Sequence, residues 1–137
     1  GADTLWGNAF PNLLVGNGGN DVLHGLGDRD VLIGGNASDK LFGEVGDDLL
    51  IDSRTSYDGR FAHLRTLRFE WWNPANSYAT RVSRLQAGVL GVRLIAANVP
   101  GDGAVDTLTG SSGRDWFVAH AGDLLPDRAA DETLTRF

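Results

Sequence analysis

GNGGNDVLH (16–24), GLGDRDVLI (25–33), GGNASDKLF (34–42) and GEVGDDLLI (43–51) stand one beneath another as units of nine residues. Working outward, GNAFPNLLV (7–15) precedes them in the same phase, and the partial unit GADTLW (1–6) precedes that. Column one is Gly at 7, 16, 25, 34 and 43. Column six is Asp3, Asn12, Asp21, Asp30, Asp39 and Asp48, and column eight is Leu5, Leu14, Leu23, Leu32, Leu41 and Leu50. Leu makes up only 18 of the 137 residues, so an unbroken Leu column is a structural signal and not an effect of composition. The phase returns at Asp106-Thr107-Leu108-Thr109 and GSSGRDWFV (110–118).

The last three residues of a unit, such as Val31-Leu32-Ile33, form a strand too short to stand alone, with its middle side chain on one face. Burying that Leu requires a neighbouring strand, so the units must stack. The remaining six residues are rich in Gly, which a tight reversal with positive φ accepts at little cost. Two units then close one coil of about 18 residues with a turn on each edge. Stacked coils carry column six in two rows: Asp3, Asp21 and Asp39 on one edge, Asn12, Asp30 and Asp48 on the other.

A nonapeptide of the form Gly-Gly-x-Gly-x-Asp-x-apolar-x resembles the hemolysin-type, or repeats-in-toxin, calcium-binding repeat of secreted bacterial proteins. The resemblance covers residues 1–51 strongly and 104–118 more loosely. It implies a mainly β fold, a parallel β-roll, together with calcium as cofactor and a secreted or cell-surface location. The middle and tail also look like segments near the C-termini of large bacterial surface or secreted proteins, through Thr55-Ser56-Tyr57-Asp58 and Asp106-Thr-Leu-Thr-Gly-Ser-Ser-Gly-Arg-Asp-Trp-Phe117. The rest of a larger parent protein is accordingly an expected partner.

The rows themselves call for a counter-charge. Coils spaced about 4.8 Å apart set carboxylates that repel by roughly 1 kcal/mol in water and by more in a dry turn. Calcium accepts 6–8 oxygen ligands in flexible geometry, and Gly-rich turns offer carbonyls beside each Asp, whereas zinc would want nitrogen or sulfur. The expected side-chain ligands are the pairs Asp21/Asp39 and Asp30/Asp48, then Asp3, with Asn12 marking a weak site because Phe10 and Pro11 interrupt its turn. Asp28 and Ala37 replace Gly in column four, and Ala is a poor occupant of the left-handed region. The sequence leaves open whether Asp106 and Asp115 add ligands.

Charge is unevenly spread within a net −6: residues 1–53 hold nine acids and two bases, 54–93 two and seven, 94–137 seven and three. Seven Arg on helical segments read as a solvated or internally paired face, and nucleic acid is not an expected partner. There is no Cys, so neither a disulfide nor a cysteine-zinc site exists, and no run is long and apolar enough for a membrane span. A chain without Met reads as a piece of something longer.

The expected organisation is repeats over 1–51, a helical insertion with a returning strand over 52–103, a terminal repeat pair over 104–118 and a C-terminal tail over 119–137. In the insertion, Tyr57, Phe61, Leu64, Leu67 and Trp71 recur at helical spacing behind a Ser56 cap, and Asn73-Pro74 ends the helix. A second helix is expected over Ser77–Ala87 with Gly88 as its stop. A strand is expected over 91–96. The insertion should cap an exposed end or face of the coil. No catalytic constellation stands out: Gly110-Ser111-Ser112-Gly113 is explained by the repeat phase, and His24, His63 and His120 follow no ligand spacing. The functional expectation is a calcium-binding module without catalysis. The alternative is an adhesive module that binds a glycan or protein through Trp71-Trp72.

Overall fold

The computed structural model describes residues 1–137. Its first six strands are β1 (Thr4–Asn8), β2 (Leu13–Val15), β3 (Val22–Gly27), β4 (Val31–Gly35), β5 (Lys40–Val45) and β6 (Leu49–Ser53). Then come helices α1 (Phe61–Trp72) and α2 (Tyr78–Ala87), followed by strands β7 (Thr107–Ser112), β8 (Trp116–Ala119) and β9 (Thr133–Arg136). Alternate strands fall into two parallel sheets, ordered β1-β3-β5-β7 and β2-β4-β6-β8-β9. The chain is a parallel β-roll with a small helical insertion.

Column eight fills the space between the sheets. Leu23, Leu32, Leu41, Leu50, Leu108 and Phe117 form one buried layer, flanked by Leu5, Leu14, Leu125 and Leu134. Each is a side chain that a three-residue strand could not bury alone, and the roll exists because the neighbouring coil buries it.

The insertion is spliced between coils without disturbing them. Lys40 pairs with Thr107 and Leu49 with Trp116, so β7 and β8 sit where the next repeats belong. Its helices cover one outer face of the roll. The units that end in the even-numbered strands, the even units, carry apolar residues in columns seven and nine, and Val31, Ile33, Leu49, Ile51, Trp116 and Val118 pack there against Leu67, Trp71, Tyr78, Val82 and Leu85. The Nε1–H of Trp71 donates to the Asp47 carbonyl at 2.8 Å, and the Tyr78 hydroxyl donates to the Asp115 carbonyl at 2.7 Å, which pins both helices to the roll. The opposite face is open and carries a stack of Trp6, His24 and Phe42 rings.

Several local expectations change. Helix α1 starts at Phe61, not behind Ser56, because Asp58 takes the Thr55 N–H and hydroxyl and holds residues 55–58 in a turn. Phe61 faces solvent instead of the core. Helix α2 stops at Gly88 as expected and begins one residue later than expected, at Tyr78, with Ser77 as its cap, whose hydroxyl accepts the Thr80 N–H. No strand forms over 91–96; that segment turns through a single Val89–Val92 bridge, since Tyr57 takes the Arg93 backbone through its hydroxyl. Residues 119–137 are more than a tail. Leu125 and Leu134 occupy the Leu layer and β9 pairs with β8, giving a final coil shortened by one residue.

From residue 16 on, columns two and four of the repeat turns adopt positive φ whatever residue occupies them, whereas Asn8 and Phe10 of the preceding unit do not. Asn17, Leu26, Glu44 and Ser111 do so in column two, Asp28 (72°) and Ala37 (79°) in column four. A left-handed Ala is strained by roughly 1–2 kcal/mol relative to a residue without a Cβ. Ala37→Gly should therefore raise the denaturation midpoint of the folded protein, by about 1 kcal/mol in urea unfolding after the entropy cost of Gly. An unchanged or lowered midpoint would show that the turn is not strained at this residue.

Candidate metal centre

The column-six carboxylates from Asp21 to Asp115 lie at turns, inside a ladder that the backbone builds. Asp21 Oδ1 accepts the N–H of Asp3 at 2.7 Å, Asp39 Oδ1 that of Asp21 at 2.7 Å, and Asp106 Oδ1 that of Asp39 at 2.6 Å. On the other edge Asp30 Oδ1 accepts from Asn12, Asp48 Oδ1 from Asp30 and Asp115 Oδ1 from Asp48, at 2.7, 2.8 and 2.7 Å. Each side chain thus ties its coil to the preceding one. One oxygen is used.

The other oxygen is not. Oδ2 of Asp21, Asp30, Asp39, Asp48 and Asp115 is buried and has no hydrogen-bond partner. A buried carboxylate oxygen left unpaired costs on the order of 1–3 kcal/mol or more, so five in two rows call for a counter-ion. Column-one Gly makes room for it. A Cβ on Gly16 would lie 2.6 Å from Asp21 Oδ2 and would also strike the Gly34 carbonyl, and one on Gly34 would lie 2.7 Å from Asp39 Oδ2. Carboxylate and carbonyl oxygens of successive coils therefore converge on a space that any side chain would fill. That is an all-oxygen donor set, suited to a hard cation.

Electrostatics agree with the geometry. Burial raises the carboxyls of Asp30 and Asp39 to about 6, Asp106 and Asp115 to about 7, and Asp48 to about 8, while the backbone N–H bonds pull the other way. Neighbouring carboxylates add to the rise: Asp115 and Asp30 at Asp48, Asp21 at Asp39, Asp123 and Asp39 at Asp106. A row of such groups resists ionisation unless a cation enters.

A scan against protein families matches residues 1–32, 15–50 and 100–123 to the RTX calcium-binding nonapeptide repeat. The chain belongs to the RTX calcium-binding nonapeptide repeat family. No curated protein matches it. No solved structure matches it either. RTX repeats bind calcium, and calcium is the cation for which this RTX module is built. The family is typically found in secreted bacterial proteins.

The structure sorts the residues singled out from sequence. Asp21 and Asp39 adjoin, as do Asp30 and Asp48. Asp3 lies exposed at the first coil. Asn12 turns its amide nitrogen toward the Phe10 carbonyl and Asp30, so a donor stands where the other turns present an oxygen. Asp106 and Asp115 extend the rows, a placement visible only once the insertion is excised.

The far end of the rows escaped the sequence reading. Asp123 and Glu132 take the column-six places of the final coil, with spacing shortened from 18 to 17 between Asp106 and Asp123. Asp123 spends Oδ1 on the Asp106 N–H and Oδ2 on the His120 N–H. His120 Nδ1 lies 2.6 Å from Asp52 Oδ2, and the ligand atoms of Asp52, His120 and Asp123 all fall within 4.8 Å of one another. Hydrogen bonds among these three, and from Ser53 and Asp106, already use these atoms. The trio closes the row. The shortened repeat hid it.

Raised carboxyl pKa values set the pH dependence. The folded, metal-free chain holds protons that the unfolded chain releases near 3.8, so this stability is full below about pH 4 and is lost as pH rises through 6 to 8. A cation held by these carboxylates would compete with those protons, and its affinity would rise over the same interval. Urea melts in chelator should show falling stability from pH 5 to pH 8 and melts in calcium should not. A metal-free fold that strengthened toward pH 8 would contradict the assignment.

Proposed function

We propose that the two rows, Asp21, Asp39 and Asp106 on one edge and Asp30, Asp48 and Asp115 on the other, are the side-chain ligands of calcium, and that calcium is the folding signal of this module. Asp3 extends the first row only when another coil covers it, and Asn12 leaves its own turn weak. The single observation that carries this reading is the set of buried Oδ2 atoms without partners. The chain acts as a non-catalytic module of a larger secreted or cell-surface bacterial protein. Extracellular calcium modules bind at roughly 0.1–1 mM, a range that leaves the rows empty in the calcium-poor cell interior and fills them outside. A ten-fold excess over the dissociation constant adds about 1.4 kcal/mol per site, and several sites add together.

An adhesive role through Trp71-Trp72 finds less support. Trp71 is fully buried beneath the Arg81 guanidinium, so the two rings do not form a platform.

Circular dichroism and tryptophan fluorescence during a calcium titration of the chelator-stripped protein should show a cooperative gain of β structure that magnesium does not reproduce. Asp39→Asn with Asp48→Asn keeps the capping oxygens and removes the charge. At pH 8 this variant should be more stable than the parent without metal, yet need at least roughly ten-fold more calcium to reach its folded signal. A variant with unchanged calcium affinity would show that the ligands lie elsewhere.

A further inference from the structure

Helix α1 is apolar on two faces, and only one of them is used. Leu67 and Trp71 are buried against the roll. At about 100° per residue, Arg68, Phe61, Trp72, Arg65 and Phe69 fall within an arc of roughly 100° on the other side. Phe61 is 79% exposed, Phe69 55% and Trp72 37%. Leu90, 82% exposed, borders the same groove as Arg65, Arg68 and Phe69. The turn bearing Phe10, itself 72% exposed, is tied to this helix by Arg68, which donates to the Pro11 carbonyl at 2.7 Å. Five large apolar side chains in solvent around one short helix are not required by the fold.

The charge of this surface is one-sided. The two carboxylates of residues 54–93 are engaged internally, Asp58 by Thr55 and Glu70 by Arg84. Arg54, Arg60, Arg65, Arg68 and Arg93 form no ion pair, and all are exposed. Cations therefore alternate with aromatic rings along the stripe. Arg and aromatic side chains are enriched at protein–protein interfaces as well, but five unpaired guanidinium groups, with both local carboxylates engaged, call for a densely anionic partner. An anionic bilayer fits it, because rings enter the headgroup boundary while Arg stems lie along it and raise their guanidinium groups to the phosphates.

We propose that the outward face of the insertion, Phe61, Arg65, Arg68, Phe69, Trp72 and Leu90, docks on an anionic lipid surface. The helix lies on the membrane and does not cross it; no helix of the chain is long and apolar enough to span one. The roll, rich in carboxylates, opposes such contact until cations neutralise its rows. Docking is then a property of the calcium-loaded protein, while its specificity resides in the insertion.

The test is co-sedimentation of the whole chain in saturating calcium with vesicles of phosphatidylcholine alone and of phosphatidylcholine with phosphatidylglycerol. Binding is expected to the second alone, with a blue shift of the fluorescence of Trp72 measured against a Trp72→Phe control. Arg65→Gln should weaken it roughly five-fold, and Phe61→Ser with Phe69→Ser should abolish it. Leu90→Ser, in the loop, supplies a variant that cannot disturb the helix. All leave the acidic rows intact, so sedimentation that survives them is calcium bridging between the roll and lipid phosphates and overturns the proposal. Equal binding to neutral vesicles, or none to anionic ones, also overturns it.

Discussion

One carboxylate in each turn is asked to do two things. Its first oxygen accepts the backbone N–H of the coil before it, at 2.6–2.8 Å along both edges, and so adds a side-chain link between coils at the turn. In Asp21, Asp30, Asp39, Asp48 and Asp115 the second oxygen is thereby carried into a buried space beside a glycine, where it has no partner. The rest of the molecule follows from this conflict. The backbone needs the Asp for order, and the Asp needs a cation to be tolerated as an ion. A roll of this kind can fold as a set of short strands only if its turns are neutralised, by protons at low pH or by metal at neutral pH.

The hydrophobic terms are organised around the same repeat. One Leu per unit forms the layer between the sheets, and stacking buries it without any long-range pattern beyond nine residues. The second core lies outside the roll, where columns seven and nine of the even units turn apolar and receive the insertion. Trp71, Arg81 and Asp47 lock that contact: Trp71 donates to the Asp47 carbonyl, Arg81 donates to the Trp71 carbonyl and pairs with the Asp47 side chain. The insertion thus covers one face and leaves the Trp6–His24–Phe42 face open. Its position depends on coils being formed. Its outer surface has a separate character.

Much of this was legible in the chain because a nine-residue period is local. Gly in column one, Asp in column six and Leu in column eight specify turn, ligand row and core without reference to distant residues. Which face would be covered was not read from the sequence; the structure shows that the apolar columns seven and nine of the even units face α1 and α2. Legibility failed where the period broke. Asp123 and Glu132 continue column six at a spacing of 17 for one step, and a strict phase hides them. Helix α1 was read as one apolar face because period alone cannot say which of two apolar stripes is buried; Leu67 and Trp71 go inward and Phe61 outward. Residues 91–96 have strand composition, but their backbone is claimed by the Tyr57 hydroxyl and by the Val89–Val92 turn.

The most direct test of the central claim is a crystal structure grown in calcium, with anomalous scattering used to locate the ions. Metal peaks should lie on both turn edges, each bonded to Oδ2 of Asp21, Asp39, Asp30, Asp48 or Asp115 and to carbonyl oxygens of the adjacent coil, with every Oδ1 still on its backbone N–H. A calcium-grown crystal in which those Oδ2 atoms bonded only to water or to protein donors, with no ion on either edge, would contradict the account.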